Sequence, residues 1–520
     1  MENKNNGLDR RSFMKAAAAL GLTASSMGLR SIAMAADGGT FTFGRPWETV
    51  HLDPHASQLS SSWNIQHMVF DSLVTLDEEF NVVPSLASAF EWQGNNLVFT
   101  LREGVKFANG REMTSDDVVK SMDRALKSKG NPWGLMMRNK KSITADGNKV
   151  TFEFDGPNNV ALYSLAATLV CIMPMKEMED GSYDGAGDKY MGTGPYMVSE
   201  HIANDRWVLK RNPHYWGGPA KTETVVVRTI PSTQGLIAAL NDGSIDGAMF
   251  IGDPDAPALL AGAANISVAT QKSTDFNYIG MNCVADDSPF KDLRVRQAVA
   301  LAVDRDKIIN FALAGNAEKT YGWTQWGFTD DSKLKFREPD LEKAKALMAE
   351  AKPARTTVKY LVRAGGVHEA VAQVMSQALA EIGITCELET VDGGVWAKRV
   401  WGTNPSEMDI TSSAYSGFPH PLITAHWWAP ELSGFTKGYV PVNEEYTAAL
   451  NAAVTKATGD EVNASLQNLY EILNEQCVKI PINVNSETIA WRSDRVNMTP
   501  SARQSQNDVM AGVETWEMKA

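Results

Sequence analysis

Two stretches of this chain place their apolar residues in the order of a βαβ unit. In the first, VVVRTI (225–230) runs apolar without alternation, as in a strand buried on both faces. Ser232 stands where a helix N-cap belongs. Leu236, Ile237 and Leu240 then recur at helical spacing, and Gly243 stops the helix before SIDGAMF (244–250). In the second, VKYLV (358–362) precedes a helix built on Val367, Val371, Val374, Met375, Ala378, Leu379 and Ile382. Gly383 ends that helix, and Ile384, Cys386 and Leu388 alternate as the next strand. Neither unit carries GxGxxG, so dinucleotide binding has no support.

Between 87 and 190 the period falls to two. Leu97, Phe99 and Leu101 alternate, and KVTFEF (149–154) repeats the pattern after an Asp146-Gly147-Asn148 turn. Between these strands Thr114-Ser115-Asp116-Asp117 reads as a capping box. The helix it opens carries Val118, Val119, Met122, Ala125 and Leu126 on its inner face. The chain thus alternates α/β lobes with an inserted antiparallel α+β lobe, and clefts between lobes are where ligands bind.

The N-terminus sets the compartment. In LDRRSFMKAAAALGL (8–22), Arg10 and Arg11 precede a weakly apolar, alanine-rich run, and Ala33-Met34-Ala35 is a small-residue cleavage signal. That pattern is a twin-arginine export peptide over 1–35; the run is too interrupted to span a membrane. Its removal takes away five basic and two acidic residues and moves the formal charge from −13 to −16. So acidic a chain is a poor partner for nucleic acid or an anionic membrane. Cys171, Cys283, Cys386 and Cys477 show no CxxC spacing, which argues against a zinc or iron–sulfur centre. Pro54 spoils His51 and His55 as a helical metal pair. Neither GxSxG nor HExxH occurs, and no cofactor motif follows the export signal, so an exported enzyme is the weaker alternative.

Four blocks carry a resemblance. They are LASAFEWQGNNLVFTLREGVKFANGREMTSDDVVKSMDRAL (86–126), GTGPYMVSEHIANDRWVLKRNPHYWGG (192–218), FNYIGMNCVADDSPFKDLRVRQAVALAVDRDKII (276–309) and IPINV (480–484). With them the chain resembles the family 5 extracellular solute-binding proteins of bacterial ABC importers. The resemblance implies a periplasmic binding protein-like α/β fold of type II, with a cleft between two α/β lobes. Lobe I would comprise 36–85, 192–272 and 486–520, lobe II 86–191 as an insertion, and lobe III 273–485. It further implies a periplasmic monomer that passes a peptide or peptide-like solute to an inner-membrane ABC permease, after export by the twin-arginine translocase and without a cofactor. Within LREGVKFANG the charged residues are conspicuous, yet Val105 and Phe107 pointing inward and glycines at turns make the motif structural.

The same resemblance places the ligand contacts. Gln58, Leu59 and Ser60 match the loop beside the ligand, Phe250 a strand end at the cleft, Tyr278 an aromatic on the strand crossing between lobes, and Asn485 the returning strand. Trp133 and Trp396 are further candidates, although a lone tryptophan is as often core as ligand platform. The segment 412–428, SSAYSGFPHPLITAHWW, has four aromatics, two histidines, two prolines and no charged side chain. It occupies the position where peptide-binding relatives carry an aspartate for the peptide's ammonium. Here Tyr415 takes the aromatic position, Phe418 replaces that aspartate, and His420 replaces a second acidic residue. The segment therefore predicts a pocket wall without its anion. A free peptide would need a carboxylate from elsewhere, for example Glu369 or Asp392, and Arg363 is the nearest base for a peptide carboxylate. Sugar conjugates and opines are the alternative solutes; nickel or haem would depend on His420 and His426.

Overall fold

The computed structural model describes residues 38–49, 51–56, 60–128, 137, 139–158, 160–167, 170–183, 190–250, 253–320, 337–365, 367–415, 417–418, 420–433, 435–456, 459–501, 503–504 and 508–519. Arg10, Arg11, Gln58, Leu59 and Trp133 lie outside the described residues. Among those described, no helix is long and apolar enough to cross a membrane.

Strand β1 (Thr40–Arg45) buries Phe41 and Phe43 and is followed by helix α1 (Ser60–Val69). Next come β2 (Ala87–Gln93), β3 (Asn96–Leu101), helix α2 (Ser115–Lys127), β4 (Lys140–Asp146) and β5 (Lys149–Phe154). These four strands form their own antiparallel sheet in the order β2-β3-β5-β4. The capping box at the start of α2 is present as read, with Thr114 and Asp117 exchanging side-chain and backbone bonds. Val118, Met122 and Ala125 turn inward.

The chain then returns through β6 (Tyr196–Ile202), β7 (Arg206–Arg211), β8 (Thr224–Thr229), helix α3 (Thr233–Asp242) and β9 (Gly247–Met249). Strands β8 and β9 lie parallel to β1 on its two sides, which makes β8-α3-β9 a crossover unit. Ser232 caps α3 through its side chain, and Gly243 ends it at φ 78°, in the left-handed region. We refer to this half of the sheet as lobe I.

Strand β10 (Ile266–Met281) leads into lobe III, which contains α4 (Leu293–Ala302), β11 (Thr357–Arg363), α5 (His368–Ala380), β12 (Thr385–Val391), α6 (Gly393–Trp401), β13 (Ile410–Tyr415), α7 (Pro421–Ala425) and α8 (Gly459–Gln476). Strands β11 and β12 pair in parallel around α5, as the second βαβ reading requires. Strand β14 (Lys479–Arg492) then runs back to lobe I. The two halves are one sheet rather than two, in the order β12-β11-β13-β10-β14-β9-β1-β8-β7-β6. Strands β10 and β14 belong to both halves. Their antiparallel ladder runs from Ile266–Arg492 to Gly280–Lys479, with its register broken between Lys272 and Phe276. The last residues close lobe I: Trp516 sets an edge against Phe41 at 5.5 Å, and its carbonyl accepts from Thr222 Oγ1 at 2.8 Å.

Candidate functional site

The register break puts residues 273–275 of β10 opposite the end of β13. There they grip the wall segment. Thr274 Oγ1 donates to the Gly417 carbonyl at 2.9 Å, and the Gly417 N–H donates to Asp275 Oδ1 at 3.0 Å. One residue on, Phe418 is buried, and its ring lies 6.4 Å from that of Trp63 in α1 of lobe I. His420 caps α7, its Nδ1 accepting from the Leu422 N–H at 3.2 Å, and its ring sits 5.0 Å from that of Tyr163 beside the inserted sheet. The uncharged segment is therefore where three parts of the fold meet.

The carboxylate that meets this segment is that of Asp275. This side chain is half-buried; burial pushes its carboxyl up to about 7, against the hydrogen bonds from Gly417 and Ser273. No described salt bridge involves it. The acids suggested from sequence do not serve. Asp392 is spent as the N-cap of α6, accepting from the Gly394 and Val395 N–H groups at 2.9 and 3.0 Å, and Glu369 is exposed in the first turn of α5. Asp275 sits 142 residues from Gly417 in the chain, so only the fold brings the two together.

The remaining candidates fall into three settings. Tyr278 and Tyr415 are buried and stacked, with ring centroids 4.9 Å apart and planes 14° apart. Both hydroxyls meet that of Tyr439, at 3.4 and 3.1 Å. The face of this group is occupied by Lys479 Nζ, 4.3 Å from each of the two ring centroids and 3.3 Å from that of Trp428. Tyr278 and Tyr415 thus turn a ring face to Lys479. Trp396 is likewise packed inside lobe III, its indole donating to Thr411 Oγ1 at 2.9 Å.

At the crossing itself, Asn485 accepts from the Asn277 and Asn483 side chains at 2.6 and 3.2 Å. The Phe250 N–H donates to Glu487 Oε1 and to the Thr488 carbonyl, each at 3.0 Å, which fixes that strand end against β14. Arg363 is exposed at the end of β11, beside Gly393 of α6. Ser60 opens α1. Neither histidine pair makes a metal site: His55 Nε2 meets the Cys171 carbonyl at 2.8 Å, and His426 Nε2 that of Leu432 at 3.3 Å. Among the described residues no group of three metal-binding side chains converges.

Comparison with known proteins gives this geometry a context. The family described as bacterial extracellular solute-binding proteins, family 5 Middle, matches residues 81–429. The oligopeptide-binding protein AppA of Bacillus subtilis is 27% identical over 421 residues, covering 75% of each chain. The glutathione-binding protein GsiB of Salmonella typhi is 25% identical over 490 residues, 89% of this chain and 92% of that one. Among solved structures, AppA from Bacillus subtilis in complex with a nonapeptide superposes with a TM-score of 0.80 at 21% identity, over 94% of this chain and all (100%) of that one. AgaA from A.tumefacien R10 in complex with agropinic acid superposes with a TM-score of 0.82 at 21% identity, over 93% of this chain and 99% of that one.

Proposed function

The chain belongs to the bacterial extracellular solute-binding proteins of family 5, and from that premise we propose that it is a periplasmic receptor which closes lobes I and III over a peptide or peptide-like solute and delivers it to an inner-membrane ABC permease. The observation that carries this reading is the crossing of β10 and β14. Two strands shared by both lobes, broken in register beside the wall segment, support a hinge beside the site. A solute touching Phe418 on one side and Trp63 on the other favours the closed state by its contacts with both lobes. The reading is one of binding without turnover, and steady conversion of a bound compound would replace it with an enzyme.

Peptide recognition draws support from what AppA and GsiB bind, and from Asp275. A charge-assisted hydrogen bond contributes about 1.5–3 kcal/mol, or roughly ten- to a hundredfold in affinity. Mass spectrometry of molecules released from the purified protein should first identify the solute class. Calorimetry with matched free and N-acetylated tripeptides should then show the free form preferred by about tenfold or more, and Asp275→Asn should erase that preference. A preference for the acetylated form would favour an opine or sugar conjugate instead.

Delivery to the periplasm rests on Arg10 and Arg11. Changing both to lysine should leave uncleaved precursor in the cytoplasm, since the translocase reads guanidinium groups that lysine does not replace. Normal maturation of that variant, followed by fractionation and immunoblotting, would assign export to the general secretory route.

A further inference from the structure

Lys479 adjoins the aromatic wall, and the proposed solute binding leaves its chemistry unused. It opens β14, is buried, and its ammonium faces four rings: Trp428 at 3.3 Å, Tyr278 and Tyr415 at 4.3 Å, and Tyr439 at 5.2 Å. Its Nζ has no hydrogen-bond acceptor among the described residues. Ring faces attract a cation but supply no lone pair, so they soften the loss of water without replacing it. The nearby carbonyls at the end of α8 are already used, that of Leu473 by the Cys477 N–H at 2.9 Å and that of Asn474 by Cys477 Sγ at 3.0 Å. Nor does any charged side chain act on the amine; burial alone drives its pKa well below the usual lysine range.

Beside Nζ lies a cavity of about 20 Å³, walled by Phe276, Tyr278, Trp428, Leu473 and Asn474. By that measure about 10–15 Å³ already admits a water molecule. Asn474 is half-buried, which gives the cavity a way out at the end of α8. The chamber is too small for an organic solute, and a carboxylate or phosphate would not fit between the rings. A water would leave the charge unbalanced. A halide-sized monoanion fits the space, balances the charge and can accept from Lys479 Nζ.

We propose that Lys479 and the cavity behind the aromatic wall form a binding site for a small inorganic monoanion, chloride in its native setting. Burial disfavours the charged amine; a bound anion opposes that and keeps the ammonium against the ring faces of Tyr278, Tyr415 and Trp428 behind Phe418. Occupancy is therefore accompanied by proton uptake and tightens as pH falls.

The test uses the mature protein without added solute. Melting curves in sodium chloride or bromide, against sodium gluconate at equal ionic strength, should show a halide-specific rise of about 1–2 °C at roughly tenfold saturation. Lys479→Met, which keeps length and apolar character, should abolish the difference between the salts. Crystals soaked in bromide should give an anomalous peak within contact distance of Nζ, a readout that needs no variant. Equal melting temperatures in halide and gluconate, a rise that survives Lys479→Met, or the absence of bromide beside Nζ would each overturn the site.

Discussion

Gly192→Ala should yield almost no folded protein. A Cβ on Gly192 would lie 1.8 Å from the Val69 carbonyl oxygen and 2.7 Å from its carbon. That carbonyl ends α1 and already accepts the Gly194 N–H at 3.0 Å, so it cannot swing aside. Overpacking a side-chain core typically costs about 1–3 kcal/mol because neighbours relax. A clash with fixed backbone relaxes less, and we expect more than about 4 kcal/mol, a large part of a typical stability of about 5–15 kcal/mol. Gly104 is the control. Unlike Gly192 it has a positive φ, 72°, but nothing lies within 4 Å of its Cβ position, so Gly104→Ala should cost only about 1 kcal/mol. Soluble yield and melting temperature measured side by side decide the matter; a Gly192→Ala protein melting within about 3 °C of wild type would sink the account.

The second large effect is expected at Arg111. Its guanidinium donates to both Asp117 oxygens at 2.8 Å and to Glu177 Oε1 and Oε2 at 2.6 and 2.7 Å, joining the helix that Asp117 caps to the segment after Met173. Asp117 also accepts the Met175 N–H at 3.1 Å. Burial alone would raise the Asp117 carboxyl, but the bonds from Arg111 and Thr114 outweigh it and hold it below the usual carboxylate range. Arg111→Ala leaves two carboxylates facing one another. Breaking a buried pair costs about 3–5 kcal/mol, and the partial exposure of Arg111 points to the lower end. Because the folded pKa of Asp117 is depressed, the pair's contribution is complete above the unfolded value of about 4 and is lost as pH falls below it. Urea unfolding at pH 7 and pH 3 should therefore show a wide gap between wild type and variant at pH 7 and a narrow one at pH 3.

Both positions lie in blocks that stand out in the sequence, and both turn out to hold backbone together. The local grammar was legible: the Thr114 box, the Ser232 cap, Gly243 and Gly383 in left-handed turns, and Val105 and Phe107 turned inward. Each is set by residues within a few positions of one another. Leu388 shows where that stops. Its alternation marks a strand correctly, but β12 is the sheet's edge and Leu388 is left exposed. The site resisted for the same reason. Asp275 looks like any acid until β10 carries it to Gly417, and nothing near Lys479 in sequence announces rings from residues 278, 415, 428 and 439. Pattern tells which face a residue takes; it does not tell which distant face it meets. The resemblance places Tyr278 and Tyr415 at the ligand separately; the fold stacks them on each other, with the protein's own Lys479 over their faces.

The seating of Trp516 against Phe41 sets a timetable for biosynthesis. Strand β1 waits until Trp516 has been made before its core is sealed, whereas the sheet spanning β2 to β5 can assemble from one uninterrupted stretch. While the ribosome is still at work, the inserted lobe is ready and the lobe that carries it is not. The half-made chain therefore shows apolar surface around Phe41, Val225 and Val227 for the longest time, the kind of exposure that invites aggregation and draws chaperones. Termination ahead of Trp516 would leave a nascent product in that same unsealed state.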